Sequence, residues 1–202
     1  MEIPPPSVPA SQLTDWRQTD RTVESPFSTP MVSAYTHTLV YEETTQRQEV
    51  FERTGVDHPW QFFFASRIQL KPAQPPNPVL SSLIRQRVDR AFIERLSGRG
   101  LENINRAESH TVSLGTANGK RTRYSARLDC TVESHEELLS VPIEAYLVVW
   151  ADDDYLLAGG AYPAGRAESG PQELIETLAD IIDPTAARNE LFGLLEGCCG
   201  SD

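Results

Sequence analysis

The chain has 202 residues, 39% of them hydrophobic, and a formal net charge of −11. The length suits one domain with a sizeable core, and the hydrophobic content excludes a wholly disordered chain. No apolar run approaches the ~20 residues of a membrane helix, and the opening Met1-Glu2-Ile3-Pro4-Pro5-Pro6 lacks the basic and apolar regions of a secretory leader.

Residues 1–25 read as a disordered or extended tail. Pro4, Pro5, Pro6 and Pro9 remove backbone donors, Thr, Gln, Asp and Arg follow, and Leu13 and Trp16 are the residues that could dock it. Order is expected from about Phe27. Met31 to Tyr41 is rich in β-branched and aromatic residues, with Tyr35, Leu39 and Tyr41 sharing one parity with His37. Glu42 to Arg53 is polar and suits a short helix or a long connection, and Trp60 to Leu70 reads as a second strand. Asn77-Pro78 is a cap followed by Pro at the first helical position. Leu80, Ile84, Val88 and Phe92 then recur at helical spacing, predicting a helix over 79–97 that ends at Gly98 and Gly100.

Ser109 to Thr116 and Arg121 to Val132 read as a hairpin turning at Asn118-Gly119. On its return strand Tyr124, Ala126, Leu128 and Cys130 face one way, and Arg121, Arg123, Ser125, Arg127 and Asp129 the other. Glu133 to Leu139 is acidic and polar. Ile143 to Trp150 and Tyr155 to Tyr162 are apolar strands joined by a turn at Asp152-Asp153-Asp154. Ser169 is expected to cap a helix starting near Pro171, and Asp183-Pro184 opens a last helix before a tail at 197–202. The predicted organisation is a single α+β domain over 26–196, an antiparallel β-sheet packed against helices.

The cations are 16 Arg and only Lys71 and Lys120. An acidic, Lys-poor surface suits a salt-rich cytoplasm, where carboxylate repulsion is screened, and a GC-rich genome that favours Arg codons is the other reading of the Arg excess. Between Arg85 and Arg127 the balance inverts: ten cations stand against four carboxylates, a net of +6, so the remaining chain carries −17. Intramolecular pairing explains such a stretch most simply. Its functional reading is a partner surface, with Arg121, Arg123 and Arg127 as the exposed face. Nucleic acid is disfavoured by the acidic whole, by the lack of aromatic residues between those arginines and by the salt sensitivity of phosphate contacts.

Motifs for chemistry are sparse. Gly159-Gly160 to Arg166 is glycine-rich but lacks the Lys-Ser/Thr of a phosphate loop, and small residues at a strand end account for it. His37, His58, His110 and His135 are far apart, His135-Glu136-Glu137 is not a zincin motif, and the Asp152–Asp154 run reads as a solvated turn, so no metal or cofactor is called for. Cys130 lies mid-strand on the apolar face, Cys198 and Cys199 are adjacent, and no disulfide framework is visible. The remaining polar groups beside aromatic strands are His37, His58 and Arg67, candidates for a pocket between sheet and helix.

The helix at 79–97, the hairpin after it, and the strand pair Ile143 to Tyr162 followed by the helix from 171 resemble the PsbP-like fold, an α/β/α sandwich shared by photosystem subunits and a Ran-binding import factor. The composition also looks like that of uncharacterised proteins of halophilic archaea. The fold resemblance implies a binding or assembly role. The expectation is a cytoplasmic, non-enzymatic binding module with a protein partner. The alternative is a small-molecule-binding protein or enzyme with its pocket between sheet and helix.

Overall fold

Strand-forming runs of period two assemble into one antiparallel sheet whose order differs from chain order. A computed structural model describes residues 3–28, 33–114, 117–131 and 138–199. Its elements are strands β1 (Trp16–Ser28) and β2 (Ser33–Glu43), helix α1 (Thr45–Thr54), β3 (Phe62–Lys71), helix α2 (Pro78–Gly98), β4 (Leu101–Leu114), β5 (Ala117–Thr131), β6 (Leu138–Ala151), β7 (Tyr155–Pro163), and helices α3 (Gln172–Ile181) and α4 (Pro184–Gly197). The seven strands run β1-β2-β3-β7-β6-β5-β4 across the sheet. The expected α+β class is the observed one, with helices packed against the sheet.

Alternation along the strands divides the interior in two. Val40, Phe62, Phe64, Tyr124, Leu128 and Leu147 face a core completed by α1, α2 and α3. Leu39, Tyr41, Phe63, Tyr146, Trp150 and Tyr162 face a second core against Leu191, Leu194 and Leu195 of α4. Burial of these side chains stabilises each layer by ~1.5–3 kcal/mol per residue before chain entropy is counted. Close approach of α4 depends on Gly160: a Cβ there would lie 2.3 Å from the Phe62 carbonyl oxygen and 2.6 Å from Leu191 Cδ1. Packing therefore explains this glycine, as the sequence suggested.

Helix α2 is the long crossover. It carries the chain from β3, in the sheet interior, to β4 at the far edge, and packs on β4 and β6. Asn77 accepts from the Leu80 amide at 2.9 Å and Pro78 fills the first turn, as expected. Two side-chain bonds pin the helix. Tyr124 Oη donates to Asp89, and Ser81 Oγ lies 3.0 Å from Tyr155 Oη. Because α2 heads towards β4, the β1–β2 side of this sheet face is left beside it rather than beneath it.

The structure corrects several expectations. The expected tail supplies an edge strand: 16–28 pairs with β2, Trp16 is buried, and Ile3 is 2% exposed. The first strand of the hairpin begins at Leu101, not Ser109, and Leu114 stands opposite Ala117, so Asn118 and Gly119 lie inside β5 rather than at the turn. A Cβ at Gly119 would sit 2.5 Å from Leu114 Cδ1 and 3.3 Å from Trp150 Cβ, so a larger residue would fit only if the Leu114 side chain moved. Ser169 does not cap α3. Its carbonyl accepts from the Ser140 amide at 3.0 Å, and Pro171 takes the cap position without a side-chain bond. Asp183 does cap α4, accepting from Thr185 and Ala186. Residues 115–116 and most of Glu133 to Leu139, with His135, lie outside the described residues.

A candidate ligand pocket between the sheet and helix α2

Where α2 diverges from β1 and β2, a cavity of about 550 Å³ opens between them. Its floor is the even-numbered face of β2 and β3: Ala34, Thr36 and Thr38 beside Phe64, Ser66 and Ile68, with Leu157 of β7. Its wall is α2, through Leu83, Ile84, Val88, Ala91 and Phe92. Phe92 is held edge-on by Tyr124 at 5.2 Å and leans on Phe64 at 5.6 Å, which fixes the inner end of the wall.

Polar groups punctuate this apolar space. Thr38 Oγ1 and Ser66 Oγ, opposite each other in register, share a hydrogen bond of 2.8 Å. Thr36, only 9% exposed, has no hydrogen-bond partner for its Oγ1. At the mouth stand Arg87, Arg90 and Arg95 of α2, with Glu94 and, from β1, Glu24. No ion pair involves those three arginines among the described residues. Arg95 is partly buried, its Cζ 5.3 Å from the centre of the Phe64 ring. Burial holds this guanidinium below its ordinary value, Arg99 adds to the effect, and Asp20 and Glu24 oppose it. The arrangement, an apolar cleft with a few convergent polar groups, is of the size and kind that holds small molecules.

Over residues 5–198 the chain matches the model of a domain of unknown function, DUF6517. The chain belongs to that family. Comparison with curated proteins finds no match.

The residues singled out from sequence lie elsewhere. His37 and Arg67 are cross-strand neighbours in register, but both belong to the α4 face. His37 is 1% exposed, accepts from Arg21 Nε at 3.1 Å through Nε2, and so donates from Nδ1 to the Ile3 carbonyl at 2.8 Å. It ties the N-terminal segment to the sheet. Arg67 pairs with Asp154 at 3.2 Å. His58 stands edge-on to Trp60, ring centres 5.5 Å apart, and Trp60 belongs to the core on the other face. Burial, with Arg47 and Arg99 nearby, pulls the His58 pKa down to about 4. These three residues therefore form no common pocket.

The arginine face of β5 is largely committed within the molecule. Arg123 contacts Glu144 and Glu108, each at 2.9 Å, and Arg127 contacts Asp129 at 2.9 Å. Arg121 lies 5.0 Å from the centre of the Phe192 ring on α4. Glu144 also accepts from Tyr162 at 2.7 Å and Tyr146 at 3.2 Å. Among the described residues no group of His, Cys, Asp and Glu is arranged to hold a metal ion, and no helix is long and apolar enough to cross a membrane. Cys130 is half-buried and burial raises its thiol to about 11, so it is protonated at neutral pH.

Sequence reading missed the cavity because it followed the other parity of β2, the one carrying Tyr35, His37, Leu39 and Tyr41. The available signal was a run of hydroxyls, Thr36, Thr38 and Ser66, on strand positions that otherwise alternate with the apolar Ala34, Val40, Phe64 and Ile68.

Proposed function

We propose that this protein is a non-enzymatic binding protein whose ligand is a small, largely apolar molecule held between α2 and the sheet. The observation that carries the reading is Thr36: a hydroxyl buried at the floor of a 550 Å³ cavity with no partner of its own. Leaving such a group unmade costs about 1–3 kcal/mol, a cost that a ligand acceptor or donor would remove. The lining carries no His, Cys, Lys or Tyr among the described residues, and its two carboxylates stand at the mouth, so no nucleophile is set beside a base. A protein partner at Arg121, Arg123 and Arg127 is less well supported, because these side chains already hold Glu108, Glu144, Asp129 and the Phe192 ring.

Kinship with the PsbP-like fold belongs to the same proposal, supported by helices on both faces of one antiparallel sheet, and superposition on a solved member of that fold tests it. So does a salt-rich cytoplasmic home, supported by 16 Arg against two Lys. A protein equally stable in dilute and molar KCl would argue against it.

The ligand reading is tested with a neutral apolar dye such as Nile red. Ala91 lines the cavity from an exposed position on α2, so Ala91→Trp fills the space without entering the core. The wild-type chain should bind the dye saturably, and the folded variant should bind at least about tenfold more weakly. Equal binding by both would overturn the proposal.

A further inference from the structure

Helix α2 gives the cavity a direction. Leu83, 45% exposed, marks one end, and Arg95, over the Phe64 ring, marks the other. Twelve residues separate them, a span of roughly 18 Å at 1.5 Å per residue. Along that span the floor passes from Ala34 and Ile68 through Thr36 to Phe64. Of the lining arginines, Arg87 follows Leu83 by one turn, whereas Arg90 and Arg95 lie towards the other end.

The lack of an ion pair is what distinguishes these arginines from others of the basic stretch. Arg99 holds Glu42 at 2.8 Å, Arg123 holds Glu144, and Arg127 holds Asp129. The three at the mouth have three carboxylates in their neighbourhood, Asp20, Glu24 and Glu94, yet none is within ion-pair distance. Arg95 is in addition partly withdrawn from water. A planar guanidinium with five donors, half-buried and without an acceptor, is complementary to a carboxylate or phosphate oxygen.

Resting on the pocket reading above, we propose that the ligand is an amphipathic organic anion. Its apolar body lies between α2 and the Phe64–Ile68 floor. Its acidic head is held at the mouth by Arg90 and Arg95, with Arg87 adding positive potential, and Thr36 Oγ1 bonds a polar atom along the body. The apolar body supplies most of the affinity and the head fixes its direction, as is usual where one charged group closes an apolar site. The head is common to fatty carboxylates and alkyl phosphates, so the test separates them.

Displacement of bound Nile red is measured with dodecanoate, dodecyl phosphate, 1-dodecanol and dodecyltrimethylammonium, which share a chain and differ in head. The expected result is displacement by at least one anion about tenfold more readily than by the alcohol, the cation being weakest. Arg90→Gln combined with Arg95→Gln should bring the anion to within about twofold of the alcohol while leaving the alcohol unchanged. Because Arg95 also packs on Phe64, Arg87→Gln combined with Arg90→Gln, both on exposed positions, provides a second variant; it should narrow the preference in the same direction. Preference for one anion over the other identifies the head and supports the inference. Equal displacement by all four compounds, or preference for the cation, overturns it while the pocket reading stands. Failure of the dye itself to bind overturns both.

Discussion

Two hydroxyls on one strand face should respond oppositely to the same isosteric change. Thr36 and Thr38 are two apart on β2, both point to the α2 side, and both are buried, 9% and 6% exposed. They differ in partners. Thr38 Oγ1 is bonded to Ser66 Oγ at 2.8 Å, and Thr36 Oγ1 is bonded to nothing. Thr→Val keeps shape and β-branching while exchanging the hydroxyl for a methyl group. At position 36 this removes an unmade hydrogen-bonding group, so the unliganded protein should gain about 1–2 kcal/mol. At about 2–4 °C per kcal/mol for a chain of this size, the melting temperature should rise by roughly 2–8 °C. At position 38 it leaves Ser66 Oγ buried without a partner, and stability should fall by about 1–2 kcal/mol. Urea titration followed by tryptophan fluorescence reads both, with the midpoint moving and the slope constant. Thr36→Val should also weaken ligand binding, the exchange of function against stability expected of a site residue. A Thr36→Val protein less stable than wild type would refute the reasoning, because it would mean that the hydroxyl is satisfied without a ligand.

Two further outcomes follow from the geometry. His58 is neutral in the folded chain, its pKa held down to about 4 by burial and by Arg47 and Arg99. A base with a depressed folded pKa contributes stability that is complete above its unfolded value near 6.5 and is lost as pH falls towards 4, up to about 3 kcal/mol in all. His58→Gln should flatten the acid limb of a pH–stability curve over that window, and a His58 imidazole signal, assigned by its loss in that variant, titrating near 6.5 by NMR would contradict the account. Gly160→Ala should destabilise by about 1–3 kcal/mol or more, since its Cβ would meet the Phe62 backbone at 2.3 Å and Leu191 at 2.6 Å. Gly55→Ala, at φ +74 with open space around it, should cost only about 1 kcal/mol in chemical denaturation, and equal losses at both positions would undo the packing argument.

What was legible in the sequence, and what was not, follows the position of each strand in the sheet. β2, β3, β6 and β7 lie in the interior and carry apolar side chains on both faces, so their runs of Val, Leu, Phe and Tyr announce them. The two misjudged segments are the two edges. Of residues 16–26 in β1, only Trp16 is buried and only Thr22 intermediate, and β4 from Glu102 to Glu108 is polar and almost wholly exposed. Such strands are held by backbone hydrogen bonds to one neighbour, and their charges protect an open edge from pairing with another chain. They leave almost no hydrophobic alternation to read, which is why 16–25 reads as a tail and the hairpin strand reads as starting only at Ser109. Asn118-Gly119 misled for a different reason. The pair has turn chemistry, but Gly119 sits inside β5 close to Leu114 and Trp150, and in a sequence a glycine used for its φ looks the same as one used for its size.

The basic stretch from Arg85 to Arg127 shows how one compositional signal can have two physical origins. Its strand half obeys period two. Arg121, Arg123 and Arg127 share the α4 face with Glu144 of β6 and Asp129, and register alone brings Arg123 to within 2.9 Å of the Glu144 carboxylate. Cross-strand pairing is available to any arginine in a sheet interior, so the positive charge there is neutralised by its neighbours. In its helix half, Arg87, Arg90 and Arg95 have carboxylates near the mouth, Asp20, Glu24 and Glu94, but none within ion-pair distance. α2 crosses its face of the sheet beside the open side of β1 and β2, so Arg87, Arg90 and Arg95 look across a cavity instead of along a ladder. The same excess of cations is therefore ion-paired where the strands pair and without ion pairs at Arg87, Arg90 and Arg95, where the helix diverges. Those three arginines also border the buried, unpartnered hydroxyl of Thr36. Charge and polarity without internal partners converge on one space, and that convergence, more than the net charge of the stretch, is what marks the site.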